Sequence, residues 1–141
     1  YRDARITNIY EGTTQLQVVA AIRHVTTGTY LGWINGHSSM ECLPEDQATK
    51  GTLKFMTQQY AAAVEAVTGV GDPGYVDFMA RRLVEMAGYI VMGYLLLEDT
   101  TRCADFRRSL EVFVKYGQAE VAKHADFIAN FTPDQLSNYT F

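Results

Sequence analysis

The sequence predicts an all-α protein, an up-and-down helical bundle of about four helices. Three observations predict it. Apolar residues recur at i, i+3, i+4 and i+7 through three long stretches. The three prolines, Pro44, Pro73 and Pro133, each stand where a helix would begin. No stretch keeps the period-two alternation of a half-buried strand. The 141 residues are 48% hydrophobic and 20% charged, which suits one globular domain with a sizeable core.

The first helix is expected from about Thr14 to Thr26. Thr14 and Gln17 fit a capping box. Leu16, Val18, Val19, Ala20, Ala21, Ile22 and Val25 cover nearly its whole circumference, so it reads as buried on all sides and short of neighbours. Next, "TTGTYLGWINGHSSM" carries Gly28, Gly32 and Gly36, and is expected to be a loop with short helical turns.

"LPEDQ" opens the second helix, from Glu45 to about Thr68, with Leu53, Met56, Tyr60, Ala63, Val64 and Val67 on one stripe. "GVGDPG" ends it. Asp72 and Pro73 then cap a third helix that runs to about Glu98. Val76, Met79, Leu83, Met86, Ala87, Ile90, Tyr94 and Leu97 keep its rhythm, with Arg81, Arg82 and Glu85 opposite. Past Gly88 the polar face vanishes, so that end is either central or packed on a partner. The fourth helix is expected from about Thr101 to Ala129, striped by Phe106, Leu110, Phe113, Val114, Gly117, Val121, His124 and Ile128. A short turn follows near Pro133 to Leu136.

A net charge of −4 argues against nucleic acid as a main partner, because phosphate binding needs concentrated Lys and Arg. The longest apolar run of interest, "MAGYIVMGYLLL", is well short of the roughly 20 residues of a transmembrane span. Arg2, Asp3 and Arg5 interrupt any signal peptide. Cys42 and Cys103 are far apart and outside any C-x-x-C pair, which points to free thiols and a cytoplasmic location. The chain opens on Tyr rather than Met and reads as a piece of a larger protein.

Several residues could carry chemistry. His124 lies on an apolar stripe one turn after Glu120; it reads as a core histidine bonded to Glu120 or a carbonyl rather than a metal ligand. His24 and His37 are isolated, and no metal site is expected. Arg81, Arg82, Arg102, Arg107 and Arg108 could form a phosphate site but read as solvated helix faces. The five methionines read as core filler. Glu11 is different. It stands between Tyr10 and Gly12 just before the first helix. A helix dipole would favour a surface Glu there by about 0.3–1 kcal/mol, which explains the charge but neither neighbour. Glycine suits close approach of backbone to a ligand.

"RDARITNIYEGTTQLQ" closely resembles a segment near the C-terminus of acyl-CoA dehydrogenases, flavoenzymes that oxidise acyl thioesters. Arg2, Asp3, Ala4, Ile9, Tyr10, Glu11, Gly12, Thr13, Thr14 and Gln15 follow that family's order. The resemblance implies that Glu11 is the base removing the α-proton of an acyl-CoA while a hydride leaves the β-carbon for the flavin, giving a trans-2-enoyl-CoA. It implies that Gly12 contacts substrate, that the Glu11 amide helps hold the thioester carbonyl, and that Thr13, Thr14 and Gln15 touch FAD. An electron-transfer flavoprotein and homo-oligomerisation are implied as partners.

The chemistry suits those residue types. An α-proton beside a thioester is weakly acidic, and its removal needs a fixed base and stabilisation of charge on the carbonyl oxygen. A solvated Glu, with a pKa of about 4.3, is a poor base, but an apolar acyl chain and flavin over it would raise that value. The resemblance also implies a division of the chain. Residues 1–27 would end the catalytic helical core, and 28–141 would be the C-terminal helical extension of the larger members. Most of the FAD site would then lie outside this chain, and the chain alone would be inactive. The alternative is a non-catalytic helical module for oligomerisation or interaction.

Overall fold

The structure, a computed structural model, describes residues 14–138. It is all-α, as the periodicity predicts, and no strand occurs among the described residues. Helix α1 spans Thr14–Thr26 and α2 Thr29–His37. A 3₁₀ turn at Pro44–Asp46 leads into α3, Gln47–Gly69. Helix α4 spans Pro73–Arg102; a second 3₁₀ turn at Ala104–Phe106 leads into α5, Arg107–Asn130. A short α6, Pro133–Ser137, follows.

Helices α3, α4 and α5 pack on one another, and α1 and α2 lie against α4. Helix α4 is therefore central, yet past Gly88 its apolar surface is not all covered, since Met92 and Leu95 are exposed. Met79, Leu83, Met86, Ile90, Tyr94 and Leu97 of α4 are fully buried, against Leu53, Met56, Tyr60 and Val67 of α3 and Leu110 and Val121 of α5 in one core. Helices α3 and α4 pack tightly at Gly93, where a Cβ would overlap Leu53 Cδ2. On the other side, a Cβ on Gly117 would sit 3.3 Å from Tyr89 Cβ.

Punctuation behaves as its chemistry requires. Asp72 caps α4, accepting a hydrogen bond from the Gly74 amide at 3.0 Å, with Pro73 in the first turn. Gly71, at φ 74°, ends α3, and Gly28, at φ 78°, ends α1; both occupy the left-handed region that glycine tolerates. At α6 the Thr132 amide donates to Gln135 Oε1 at 2.8 Å, half of a capping box.

Three readings of the sequence are corrected. The glycine-rich stretch is a helix, not a loop. Ile34 is fully buried, and the Trp33 and His37 rings stack at 3.7 Å, while a Cβ on Gly32 or Gly36 would meet nothing within 4 Å. Those glycines cost helix propensity, about 1 kcal/mol each, which packing of the opposite face offsets. The boundary between the last two long helices falls later than expected. Helix α4 continues to Arg102, Cys103 is extended, and α5 begins only at Arg107. Finally, α1 is not buried all round. Val18 and Val25 are buried, while Ala20, Arg23 and His24 are exposed.

Candidate functional site

Glu11, Gly12 and Thr13 lie outside the described residues, as do the side chains of Thr14 and Gln15. The backbone of Thr14 and Gln15 forms the first turn of α1, which has no acidic residue there. Helix α1 packs on α4 and α2, so this N-terminus is fixed to the bundle through Val18 and Val25.

Four of the five arginines that could have formed a phosphate site are engaged in other contacts. Arg81 pairs with Glu85 at 2.9 Å and Arg102 with Glu98 at 2.7 Å. The Arg82 guanidinium lies 4.0 Å from the Phe127 ring centroid, a cation–π contact. Arg107 forms a two-pronged pair with Asp46, its Nε donating to Oδ1 at 2.9 Å and Nη2 to Oδ2 at 3.3 Å. Asp46 is fully buried, and its hydrogen bond raises the pKa of Arg107. That pair ties the turn before α3 to the first residue of α5. Arg108 is in no ion pair among the described residues.

His124 is a buried core histidine, as expected, but its partner is neither Glu120 nor a carbonyl. Its Nε2 donates to Glu85 Oε2 on α4 at 2.9 Å, while Glu120 pairs with Lys123 at 2.7 Å. Burial pushes the Glu85 carboxyl up, but hydrogen bonds from Arg81 and His124 outweigh it, and the net direction is down. Glu85 is thus a carboxylate, and His124 must carry its proton on Nε2. No group of three or more His, Cys, Asp or Glu among the described residues could hold a metal ion. His24 is exposed beside Tyr30, and the His37 ring nitrogen Nδ1 lies 3.0 Å from the Trp33 carbonyl.

Two open grooves adjoin between α4 and α5. One, of about 580 Å³, is lined by Leu96, Arg108, Ser109, Val112, Phe113 and Tyr116. The other, of about 500 Å³, runs from Phe113 past Tyr89 and Met92 to Glu85 and Glu120. Tyr89 sits between Phe113 and Tyr116, with ring centroids 5.9 Å from each. Burial, with Tyr116 and Glu120 nearby, pushes its phenol up to about 12. Val112 and Tyr116 are exposed and lie outside the apolar stripe of α5.

The family described as acyl-CoA dehydrogenase C terminal matches residues 26–136, most of the chain. This chain belongs to that family. The crystal structure of an acyl-CoA dehydrogenase family protein from Porphyromonas gingivalis is similar, with 43% identity and a TM-score of 0.75. That alignment covers 81% of this chain and 99% of the other. No curated protein matches. The acyl-CoA dehydrogenase C-terminal match begins at the last residue of α1 and ends inside α6. It therefore rests on different residues from the resemblance carried by Arg2 to Gln15, and both lead to acyl-CoA dehydrogenases. No helix among the described residues is long and apolar enough to cross a membrane.

Proposed function

We propose that this chain is the C-terminal part of an FAD-dependent acyl-CoA dehydrogenase, acting in the cytoplasm, with Glu11 as the base. The observation that carries the reading is an order along the chain. Glu11, inside the stretch Ile9 to Gln15, stands three residues before the first residue of α1, and α1 leads into the span that the family matches.

Glu11 takes the α-proton of the acyl-CoA. Its own backbone amide donates to the thioester carbonyl and so stabilises the charge that develops there. Gly12 lets the backbone approach the substrate closely. An acyl chain lying over Glu11 excludes water and raises its pKa toward working pH.

The donor set around Thr14 fits FAD. Thr13 and Thr14 supply hydroxyls, Gln15 an amide, and the start of the 13-residue α1 supplies N–H groups with no acidic side chain to oppose an anion. These residues would hold hydroxyl or phosphate groups of FAD, which supplies the two-electron acceptor for the β-hydrogen. In this reading, residues 1–27 close the catalytic core and 28–141 form an extension over it. The remaining FAD and CoA contacts lie elsewhere in the parent protein, and the chain alone has no activity. An electron-transfer flavoprotein takes the electrons.

The test uses the full polypeptide that carries this chain. It should purify with flavin bound and oxidise an acyl-CoA. Glu11→Gln should keep flavin and substrate binding while turnover falls at least a hundredfold. A near-normal rate in that variant rejects Glu11 as the base. The non-catalytic module remains the second reading for the bundle itself, favoured by the exposed apolar groove between α4 and α5.

A further inference from the structure

We infer that an ordered water is buried between α3 and α4 beneath α2, held by the Tyr60 and Tyr94 hydroxyls and by Thr57 Oγ1. The inference stands whether or not Glu11 is a base.

Two core phenols carry it. Tyr60 and Tyr94 are both 0% exposed, and neither hydroxyl has a hydrogen-bond partner among the described residues. Buried polar groups almost always have one, and ordered water serves where protein atoms do not. Gln59 Oε1 is also unpaired, but that residue borders an open groove between α3 and α5. Burial raises the pKa of both phenols, to about 12 for Tyr60. Both therefore keep their protons and remain donors at neutral pH.

Helix geometry brings the two hydroxyls together. Helices α3 and α4 are neighbours joined by residues 70–72, hence antiparallel, and Leu53 packs on Gly93. From that contact Tyr60 lies about 10 Å along α3, and Tyr94 lies one residue away in the opposite direction, so their levels differ by about 12 Å. Each side chain leans toward the N-terminus of its own helix. In antiparallel helices these leanings converge, here near the level of Thr57.

The two phenols also share a side. Tyr89, which packs on Gly117 of α5, lies about 40° from Gly93 round α4, and Tyr94 lies about 100° from it in the opposite sense. With α3 and α5 on the other sides, α1 and α2 cover this one. Tyr60 faces it too, since Tyr30 of α2 is close enough to add to the rise in its pKa. Thr57 is close enough to Tyr94 to offset part of that phenol's rise. Its Oγ1 donates to the Leu53 carbonyl at 2.8 Å, which leaves its lone pairs free to accept. Donors and acceptors then balance. The water accepts from both phenols and donates to Thr57, tying α3 to α4 within an otherwise apolar layer.

A high-resolution crystal structure of the 141-residue chain tests this. The expected result is density for a single atom about 2.5–3.0 Å from both phenol oxygens and from Thr57 Oγ1. In the double variant Tyr60→Phe, Tyr94→Phe that density should vanish, with the helical signal and thermal melt checking that the fold survives. Should the double variant fail to fold, the density in the unaltered chain decides alone. Phenols bonded directly to each other or to a backbone carbonyl overturn the proposal. So does a dry gap between them, or density that persists in the double variant.

Discussion

Residues 2–15 and the bundle of α3, α4 and α5 are written in different ways. The first stretch is short: ten residues in a fixed order between Arg2 and Gln15, five of which, Glu11 to Gln15, have a proposed chemical role, and no periodic pattern. The bundle is distributed: no short stretch of it is distinctive, yet its stripes of Leu, Met, Ile and Tyr close into one core. Chemistry needs particular groups at one place, whereas packing needs only volume and period. The two regions should therefore fail differently when changed.

The largest effect belongs to the first region. Glu11→Gln in the flavin-loaded parent should reduce turnover at least a hundredfold and leave the thermal melt unchanged. In the bundle the ranking should reverse. Asp46→Asn removes the counter-charge of Arg107 and the link between the turn before α3 and the start of α5. It should lower the melting temperature more than any other single change discussed here, yet leave the rate per bound flavin intact. A loss of rate without a loss of stability would break the division.

Glycines on α4 sharpen it further. Gly93→Ala forces a methyl into Leu53 and should destabilise by about 1–3 kcal/mol. Gly88→Ala, one and a half turns away with nothing within 4 Å of its Cβ, should be neutral or stabilise by up to about 1 kcal/mol. Equal effects in denaturant titrations would mean that α3 and α4 do not approach at Gly93.

The smallest effect is pH-dependent. Glu85 has a folded pKa below its ordinary 4.5, so its ion pairs stabilise the protein above that pH. This contribution fades as pH falls from about 4.5 through the lowered value. Glu85→Gln should therefore melt earlier than the parent at neutral pH, with the gap closing under acid. A constant gap across that window would show that the pairs with Arg81 and His124 contribute no pH-dependent stability.

How much was legible follows from the same contrast. Helices α3, α4 and α5 were readable because their stripes run for six turns or more, and the starts of α3 and α4 carry a proline as well. Helix α2 was not, because three glycines speak against a helix locally and only the burial of Ile34 speaks for it. The break at Cys103 carries no proline or glycine, so nothing in the local sequence announces it. His124 was legible as a core residue, but its partner Glu85 lies 39 positions away, and which faces of two helices meet is not a local property. The Asp46–Arg107 pair spans 61 positions and was invisible for the same reason. Glu11, Gly12, Thr13, Thr14 and Gln15, the residues proposed for the site, were read only as a motif, and Glu11, Gly12 and Thr13 lie outside the described residues.

Exchange of hydrogen at the substrate α-carbon tests the central claim most directly, because it reads proton removal alone. The flavin-loaded parent polypeptide is incubated anaerobically with an acyl-CoA in D₂O, and deuterium at that carbon is followed by mass spectrometry. The account predicts uptake by the parent protein and uptake at least a hundredfold slower with Glu11→Gln at equal flavin content. Equal uptake by the two proteins would contradict it.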